Sequence, residues 1–145
     1  MSFTPTDDNY IEKVRASFSK QQFMDFIGAR LAEVQPGYCE IHLDYKPELS
    51  QQDGYFHGGI IGTIADNAGG YAAHTLMPAN HSVLTVEYKI NLVAPGKGEK
   101  LIGCGQVLKP GRTLTTCRTE VFVIEKGNKK LCATSLMTLI SLPNK

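Results

Sequence analysis

The sequence lacks the features that mark several large classes of protein. No apolar run approaches the ~18 residues that a membrane-spanning helix needs. Its 15 basic and 14 acidic residues leave a net charge of +1, so the charge pattern indicates neither a nucleic-acid partner nor a membrane surface. The first eight residues are polar and acidic, unlike a signal peptide, and we expect a cytoplasmic protein.

The cysteines and histidines lack the spacing of a disulfide framework or a metal centre. The four cysteines form no CxxC pair and lie in apolar or alternating stretches, so we expect reduced thiols in the core. His42, His74 and His81 show no metal-ligand spacing with one another or with Asp66, and we predict no metal. The cysteines are Cys39, Cys104, Cys117 and Cys132.

What the sequence does contain is a long segment rich in glycine and alanine, residues 56–74. Its apolar residues recur at helical spacing, although each internal glycine costs a helix about 1 kcal/mol relative to alanine. Such a helix is stable only if other elements pack closely around it, and glycine permits that approach. Asp66 lies among apolar neighbours in mid-helix, and the helix begins at His57-Gly58-Gly59, where the dipole and free N–H groups favour negative charge.

Two helices are predicted before this segment. Residues 6–18 have helical spacing with Thr6 as N-cap, and a second helix follows a capping box at residues 19–22 and ends at Gly28. We predict one domain over residues 1–145, in which residues 1–28 form a helical cover without chemistry of its own. The buried side of the second helix is predicted to consist of Phe23, Met24, Phe26 and Ile27.

The other segments read as strands. A hairpin turns at residues 35–37, and long strands are predicted at about 81–92, 101–109, 113–125 and 131–142. In the first long strand, strict alternation predicts that Thr85 and Glu87 face away from Tyr88 and Leu92. Long antiparallel strands beside one glycine-rich helix predict an α+β architecture in which a curved sheet wraps round the helix, the hotdog fold.

Two motifs carry a family resemblance. His57-Gly58-Gly59 followed by Asp66, and then residues 85–95 (TVEYKINLVAP), resemble the PaaI-like group of hotdog-fold acyl-CoA thioesterases from about Gly28 to Ser141. The resemblance implies hydrolysis of acyl-CoA to free CoA and a carboxylic acid. It implies no cofactor, since coenzyme A belongs to the substrate, and it implies a homodimer or a dimer of dimers.

Thioester hydrolysis needs an oxyanion donor and a base or nucleophile. The helix start places the N–H groups of Gly58 and Gly59 for the first task, and the resemblance assigns the oxyanion donor to Gly58. The alternative is that both glycines serve only close packing. The resemblance assigns Asp66 the role of general base or nucleophile, and the alternative is a structural hydrogen bond to the neighbouring strand.

One helix cannot bring both groups to one carbonyl. His57 and Asp66 are separated by about two and a half turns, or roughly 13 Å at 1.5 Å per residue. A second copy running antiparallel brings Asp66 of one subunit to Gly58 of the other, with two sites per dimer. We therefore predict a functional homodimer.

Further residues complete the candidate site. His57 either polarises the thioester or only bonds the backbone at the helix start, and the resemblance places Gln51, with Gln52 as rival, and Thr85 near the attacking water and the carboxylate. Tyr55, Phe56 and Tyr71 are candidates for the acyl pocket, and the alternative is that these aromatic residues belong to the core. Gly59, Asn67, Lys97, Lys109 and Arg112 are predicted to bind substrate, the basic residues through the phosphates of CoA.

Two other functions stay open at this point. The same fold is compatible with a non-catalytic acyl-CoA binder or sensor, and with a hydratase or dehydratase acting on acyl thioesters. The sequence does not indicate whether the acyl group is aryl, short-chain or medium-chain.

Overall fold

The long helix at the centre of the chain is surrounded by the sheet on most of its circumference. In the computed structural model, which describes residues 2–145, helix α3 packs against every strand except the first. The six strands form one antiparallel sheet in the order β1-β2-β4-β5-β6-β3. The helices are α1 (Tyr10–Phe18), α2 (Gln22–Ile27) and α3 (Gly58–His74), and the strands are β1 (Arg30–Gln35), β2 (Tyr38–Asp44), β3 (His81–Leu92), β4 (Lys100–Lys109), β5 (Leu114–Glu125) and β6 (Asn128–Pro143).

This arrangement confirms the predicted hotdog fold. The alternating strands β4 and β5 bury one face against α3, and α3 itself buries side chains on nearly all sides, as its composition predicts. The hairpin between β1 and β2 turns at Gly37, whose positive φ of 75° is one that glycine adopts without strain. Among residues 2–145, no helix has the length and apolar character needed to cross a membrane.

Glycines on the sheet let α3 approach the strands closely. A Cβ built on Gly105 of β4 would lie 2.1 Å from the carbonyl oxygen of Ala68, and one on Gly103 would lie 2.5 Å from Ile64 Cγ2. Neither distance is tolerated between real atoms, so any side chain at Gly105 forces the helix backbone outward. These contacts therefore set the position of α3 and of the side chains on it.

The N-terminal helices differ from the prediction in detail. Helix α1 begins at Tyr10, and Thr6 is not its N-cap, because the Thr6 hydroxyl donates to the carbonyl of Leu76. The predicted capping box of α2 is also wrong. Ser19 Oγ bonds the Ala16 carbonyl at the end of α1, and no side chain caps α2.

The predicted buried side of α2 is half correct. Met24 and Ile27 are buried, whereas the side chains of Phe23 and Phe26 are 53% and 81% exposed. A six-residue helix has fewer than two turns, so only one of its two apolar rows meets the core. Gly28 ends the helix in the left-handed conformation at φ 83°, as predicted.

Strand β3 departs from strict alternation at one point. A bulge between Thr85 and Glu87 shifts the register, so Thr85 pairs with Leu139, whose side chain faces the core. Thr85 therefore lies on the same face as Tyr88, which pairs with the buried Met137. The prediction that Thr85 faces away from Tyr88 is wrong, because an inserted residue reverses the order of faces.

The cysteines are free thiols, as predicted. Cys39, Cys117 and Cys132 are buried and Cys104 is half-buried. Burial raises the pKa of the Cys117 thiol to about 12 and that of Cys132 to about 11, so both are protonated at neutral pH.

The close approach of α3 to β4 predicts opposite effects for two glycine substitutions. Gly105→Ala should lower the free energy of unfolding by about 2 kcal/mol or more, because the added methyl group meets helix backbone that cannot rotate away. Gly70→Ala is the matched control. A Cβ there meets no atom within 4 Å, so the variant should gain up to about 1 kcal/mol from helix propensity.

Equilibrium unfolding in urea measures both values. Equal stability of Gly105→Ala and the wild type would show that α3 is free to move away from β4.

Candidate active site

Backbone hydrogen bonds to two other segments hold the residues just before α3. The Phe56 N–H donates to the carbonyl of Gly96 at 2.8 Å, and the His57 N–H donates to that of Leu49 at 2.9 Å. His57 is the N-cap, with φ −60° and ψ 138°, and its Nδ1 accepts the Gly59 N–H at 2.8 Å. Within residues 2–145 the N–H of Gly58 has no acceptor. The helix therefore presents one open donor at its positive end.

The cap shows which hydrogen bonds His57 and Gly59 already form. The helix-entry alternative for His57, a bond to the backbone, is what the structure shows. The same bond occupies the Gly59 N–H, so of the two predicted donors only Gly58 is open. His57 Nε2 lies on an exposed side chain and takes no part in the cap.

Asp66 lies two turns further along α3 and faces β3. The Thr85 hydroxyl donates to Asp66 Oδ1 at 2.6 Å, so the structure brings these two predicted residues together. The bulge after Thr85 is the reason, because it turns Thr85 toward the helix. Asp66 is half-buried rather than fully buried, and within residues 2–145 its Oδ2 forms no hydrogen bond. The structural alternative for Asp66 is thus present, and it uses one carboxylate oxygen.

Helix α3 runs antiparallel to β3 with a regular spacing of contacts. A Cβ on Gly58 would lie 3.0 Å from Leu92 Cδ1, one on Gly62 would lie 3.5 Å from the Tyr88 hydroxyl, and Asp66 bonds Thr85. Gly58 and Asp66 are eight residues apart, or about 12 Å along the helix. A single chain therefore does not place both on one carbonyl carbon.

A cavity of about 320 Å³ opens beside Asp66. Asn67, predicted to bind substrate, lines it, and so does Tyr71, whereas Tyr55 and Phe56, the other two candidates for the acyl pocket, do not. Gln21, from the connection between α1 and α2, also lines it, so the predicted helical cover contributes a side chain to this cavity. Nothing in the local pattern around Gln21 indicates this role, because it depends on a contact with residues about 45 positions away. The residues that line the cavity are Gln21, Asp66, Asn67, Gly70, Tyr71, Val83, Leu84 and Thr85.

Gln51 is held within its own loop. Its Oε1 accepts the N–H groups of Asp53 at 2.6 Å and Tyr55 at 3.2 Å, and its Nε2 donates to the Asp53 carboxylate. It does not line the cavity beside Asp66. The loop leads directly into Gly58, so Gln51 belongs to the helix-start half of the candidate site.

The predicted basic residues do not meet in one chain. Lys97 lies in the connection just before β4, beside Gly96 and thus near the start of α3, and is 3.6 Å from the Glu125 carboxylate. Lys109 is the last residue of β4 and Arg112 lies in the connection after it, about 30 Å from the start of the strand at ~3.3 Å per residue. One CoA cannot contact both groups from the same subunit through its phosphates.

Within residues 2–145, no group of three or more His, Cys, Asp or Glu side chains is placed to hold a metal ion.

Residues 53–129, just over half of the chain, match the family model of the thioesterase superfamily. This chain belongs to that superfamily. The thioesterase is 28% identical over 124 residues to human acyl-coenzyme A thioesterase 13, covering 84% of this chain and 86% of that protein. It is 41% identical to a thioesterase family protein from Silicibacter pomeroyi, with a TM-score of 0.92 over 93% of this chain and 99% of that one.

The likeness to the E. coli PaaI protein, from the phenylacetic acid degradation operon, is one of fold. The identity is 15%, and the TM-score is 0.83 over 94% of this chain and 96% of that one. Together these comparisons confirm the resemblance to PaaI-like hotdog thioesterases that the motifs around His57 and Asp66 indicate.

The cap geometry predicts the outcome of two substitutions in this thioesterase. His57→Ala should lose about 1 kcal/mol of stability, because the Gly59 N–H loses its acceptor. His57→Asn keeps a capping oxygen and should retain both stability and most of the rate of thioester hydrolysis. Urea unfolding and release of free thiol measure the two effects. A stable His57→Asn variant with a hundredfold lower rate would show instead that the imidazole acts on the thioester.

Proposed function

We propose that this thioesterase hydrolyses acyl-CoA to coenzyme A and a carboxylic acid. The observation that carries the proposal is the pairing of an open N–H at the start of α3 with a carboxylate on the side of the same helix that faces the edge of the sheet. Membership of the thioesterase superfamily supports a thioester as the bond that is hydrolysed. The similarity to human acyl-coenzyme A thioesterase 13 supports coenzyme A as the thiol part of that ester.

In the proposed reaction the thioester carbonyl oxygen accepts the N–H of Gly58. The positive end of α3 then stabilises the negative charge that develops on this oxygen when the carbonyl carbon is attacked. Asp66 takes a proton from the attacking water, or attacks the carbonyl itself to form an anhydride that water hydrolyses. The tetrahedral intermediate expels the CoA thiolate, which leaves as the thiol after protonation. The Thr85 hydroxyl bonds Asp66 Oδ1, so Oδ2 is the oxygen left to accept the proton or to attack the carbonyl carbon.

We propose that the two halves of the site come from two subunits. Strand β3 is an edge of the sheet, and its Val86, Tyr88 and Leu92 side chains are 56%, 45% and 54% exposed. A long edge strand with exposed apolar side chains is a ready template for pairing with another strand. A second copy of β3 is the partner we infer.

We propose an antiparallel pairing that sets Thr85 opposite the partner subunit's Leu92. Both side chains lie on the helix-facing side of β3, as residues directly opposite one another in a sheet must. Because Leu92 lies beside Gly58 and Thr85 bonds Asp66, this register brings Asp66 of one subunit toward Gly58 of the other, twice per dimer. The loop that contains Gln51 leads into Gly58, so it lies in the same half of the proposed site as Gly58.

Lys97 is the basic residue best placed for a phosphate of CoA. It lies at the end of the subunit that contains Gly58, and its contact with Glu125 is at the surface, where such pairs contribute little. Lys109 and Arg112 lie at the opposite end, so we propose them only as contacts to a CoA bound by the other half of the dimer.

Removing the charge of Asp66 should abolish turnover without disturbing the fold. Asp66→Asn keeps an oxygen that accepts the Thr85 hydroxyl, so its stability should stay within about 0.5 kcal/mol of wild type, while its rate falls by about 10²–10⁴-fold. The assay is thiol release from acetyl-, hexanoyl-, decanoyl-, palmitoyl-, phenylacetyl- and benzoyl-CoA. Asp25→Asn, on the exposed surface of α2, is the matched control.

Wild-type protein that binds these esters and hydrolyses none of them would contradict the proposal and favour a sensor or a hydratase.

Mixing two inactive variants tests whether the site is shared between subunits. Gly58→Pro removes the donor N–H at the first helical position, where proline is well tolerated, and His57 already has the extended ψ that a following proline requires. A heterodimer of Gly58→Pro with Asp66→Asn contains one intact site of two. Random reassortment makes about half of the dimers mixed, so about one quarter of wild-type activity should return.

The measurement is thiol release after the two variants are unfolded together and refolded. The control is each variant taken through the same treatment alone. No recovery in the mixture, although mass spectrometry shows mixed dimers, would place both groups in one chain.

A further inference from the structure

A second cavity, of about 330 Å³, lies next to the cavity beside Asp66. Residues that are neighbours in the chain line the two cavities. Lys20 lines the second cavity and Gln21 the first, and in the same way Ser82 lines the second and Val83 the first. The two cavities therefore follow one another along the groove between β3 and the helices α1 and α3.

Tyr71 is the side chain between the two cavities. It lines the first, and its hydroxyl lies 3.3 Å from Ser17 Oγ, which belongs to the second. Its ring centroid is 6.1 Å from that of His74, which also lines the second cavity. A ligand that extends from Asp66 past Tyr71 thus enters the second cavity.

The second cavity is lined by basic side chains and is called the basic cavity below. Lys13, Lys20, His74 and His81 line it, and among residues 2–145 no carboxylate does. His74 is 3% exposed, and burial lowers the pKa of its imidazole, so it is neutral at physiological pH. The positive charge of the cavity therefore comes from its two lysines.

The two lysines differ in how much of their charge is already balanced. Lys13 Nζ lies 3.5 Å from the Asp7 carboxylate and donates to the carbonyl of Met77. Lys20 is exposed, and within residues 2–145 its side chain forms no ion pair. Lys20 is thus the cation that remains available to a ligand in the basic cavity.

The distance from Asp66 to the basic cavity matches the length of one part of coenzyme A. His74 follows Asp66 by eight residues, or about 12 Å along α3. The pantetheine arm, which joins the sulphur of CoA to its diphosphate, is about as long as four extended residues, or roughly 14 Å. An arm that begins at Asp66 and follows the groove therefore ends with its phosphates at the basic cavity.

The proposed dimer brings another cation to the same end of the groove. Thr85 lies opposite the partner subunit's Leu92, and antiparallel chains run past each other in opposite directions. Going back along β3 from Thr85 to His81, the other chain goes forward toward the partner subunit's Lys97, which is already proposed above for a phosphate of CoA.

We propose that the basic cavity binds the phosphate end of coenzyme A, with Lys20 as the residue that contacts a phosphate. The pantetheine arm then occupies the groove between this cavity and Asp66. The inference rests on the proposed function, because the length match takes Asp66 as the place of the thioester.

The test compares two thioesters of the same acid. One is the CoA ester that the wild type hydrolyses fastest, and the other is the pantetheine ester, which has no phosphate. In Lys20→Gln, KM for the CoA ester should rise about fivefold while kcat stays within about twofold, because an exposed charge pair is lost and the reacting groups are untouched. Lys20→Glu reverses the charge and should raise this KM by about 25-fold. Neither variant should change KM for the pantetheine ester.

Lys130→Gln is the matched control. Lys130 is exposed near the start of β6 and lies outside the basic cavity, so this variant loses the same net charge and should keep both KM values. Circular dichroism and urea unfolding establish that all three variants are folded.

A merely structural role for Lys20 predicts a different result. A lysine just after a helix interacts with the negative end of that helix, here α1, and its loss then lowers stability without any effect that depends on phosphate. KM for the CoA ester within twofold of wild type in Lys20→Gln, or an equal rise for both esters, would overturn the inference.

Failure of the proposed function is distinguished by a binding measurement. If the wild type hydrolyses no ester, the catalytic proposal fails, and calorimetry with CoA itself tests the basic cavity. The Kd for CoA should be about fivefold higher in Lys20→Gln than in wild type and in Lys130→Gln. No binding of CoA by the wild type, or a Kd that Lys20→Gln leaves unchanged, would overturn the inference on this route as well.

Discussion

The structure depends on the closeness of α3 to the sheet. Gly103 and Gly105 leave no space for a side chain between β4 and the helix, so the helix backbone rests directly on the strand backbone. A helix with internal glycines is weak by itself, and here the surrounding sheet supplies the stability that its propensity does not. This packing also fixes the geometry of the candidate site. Because the sheet surrounds most of the helix, the N–H of Gly58 and the carboxylate of Asp66 keep fixed positions.

Much of this could be predicted from the sequence, since the strongest patterns arise from the strongest constraints. The helix at residues 58–74 follows from glycine and alanine at helical spacing, and the strands follow from long alternations broken by Gly and Pro turns. Gly58 and Asp66 could be selected because a glycine-rich helix start and a carboxylate in an apolar helix both need a reason. Thr85 could be associated with Asp66 only through the family resemblance.

The errors have a common physical origin. The alternation in β3 gives Thr85 the wrong face, because a bulge inserts one residue without changing the apolar pattern. The cap of α1 and the buried face of α2 are decided by tertiary contacts, such as that of Thr6 with Leu76, which a local pattern does not contain. Gln21 belongs to the same group. Its place beside Asn67 and Tyr71 depends on how two short helices settle on α3, and no periodicity records that.

The N-cap of α3 holds the start of the helix in place before a substrate binds. Helix N-termini often rely on a bound anion or on water to satisfy their first N–H groups. Here the imidazole of His57 already occupies the Gly59 N–H, and the backbone bonds of Phe56 and His57 anchor the segment before it. Within residues 2–145, only the Gly58 N–H among the first N–H groups of α3 has no acceptor. Such a preorganised donor needs no reordering when an oxygen arrives, so little of the binding energy is lost to folding the site.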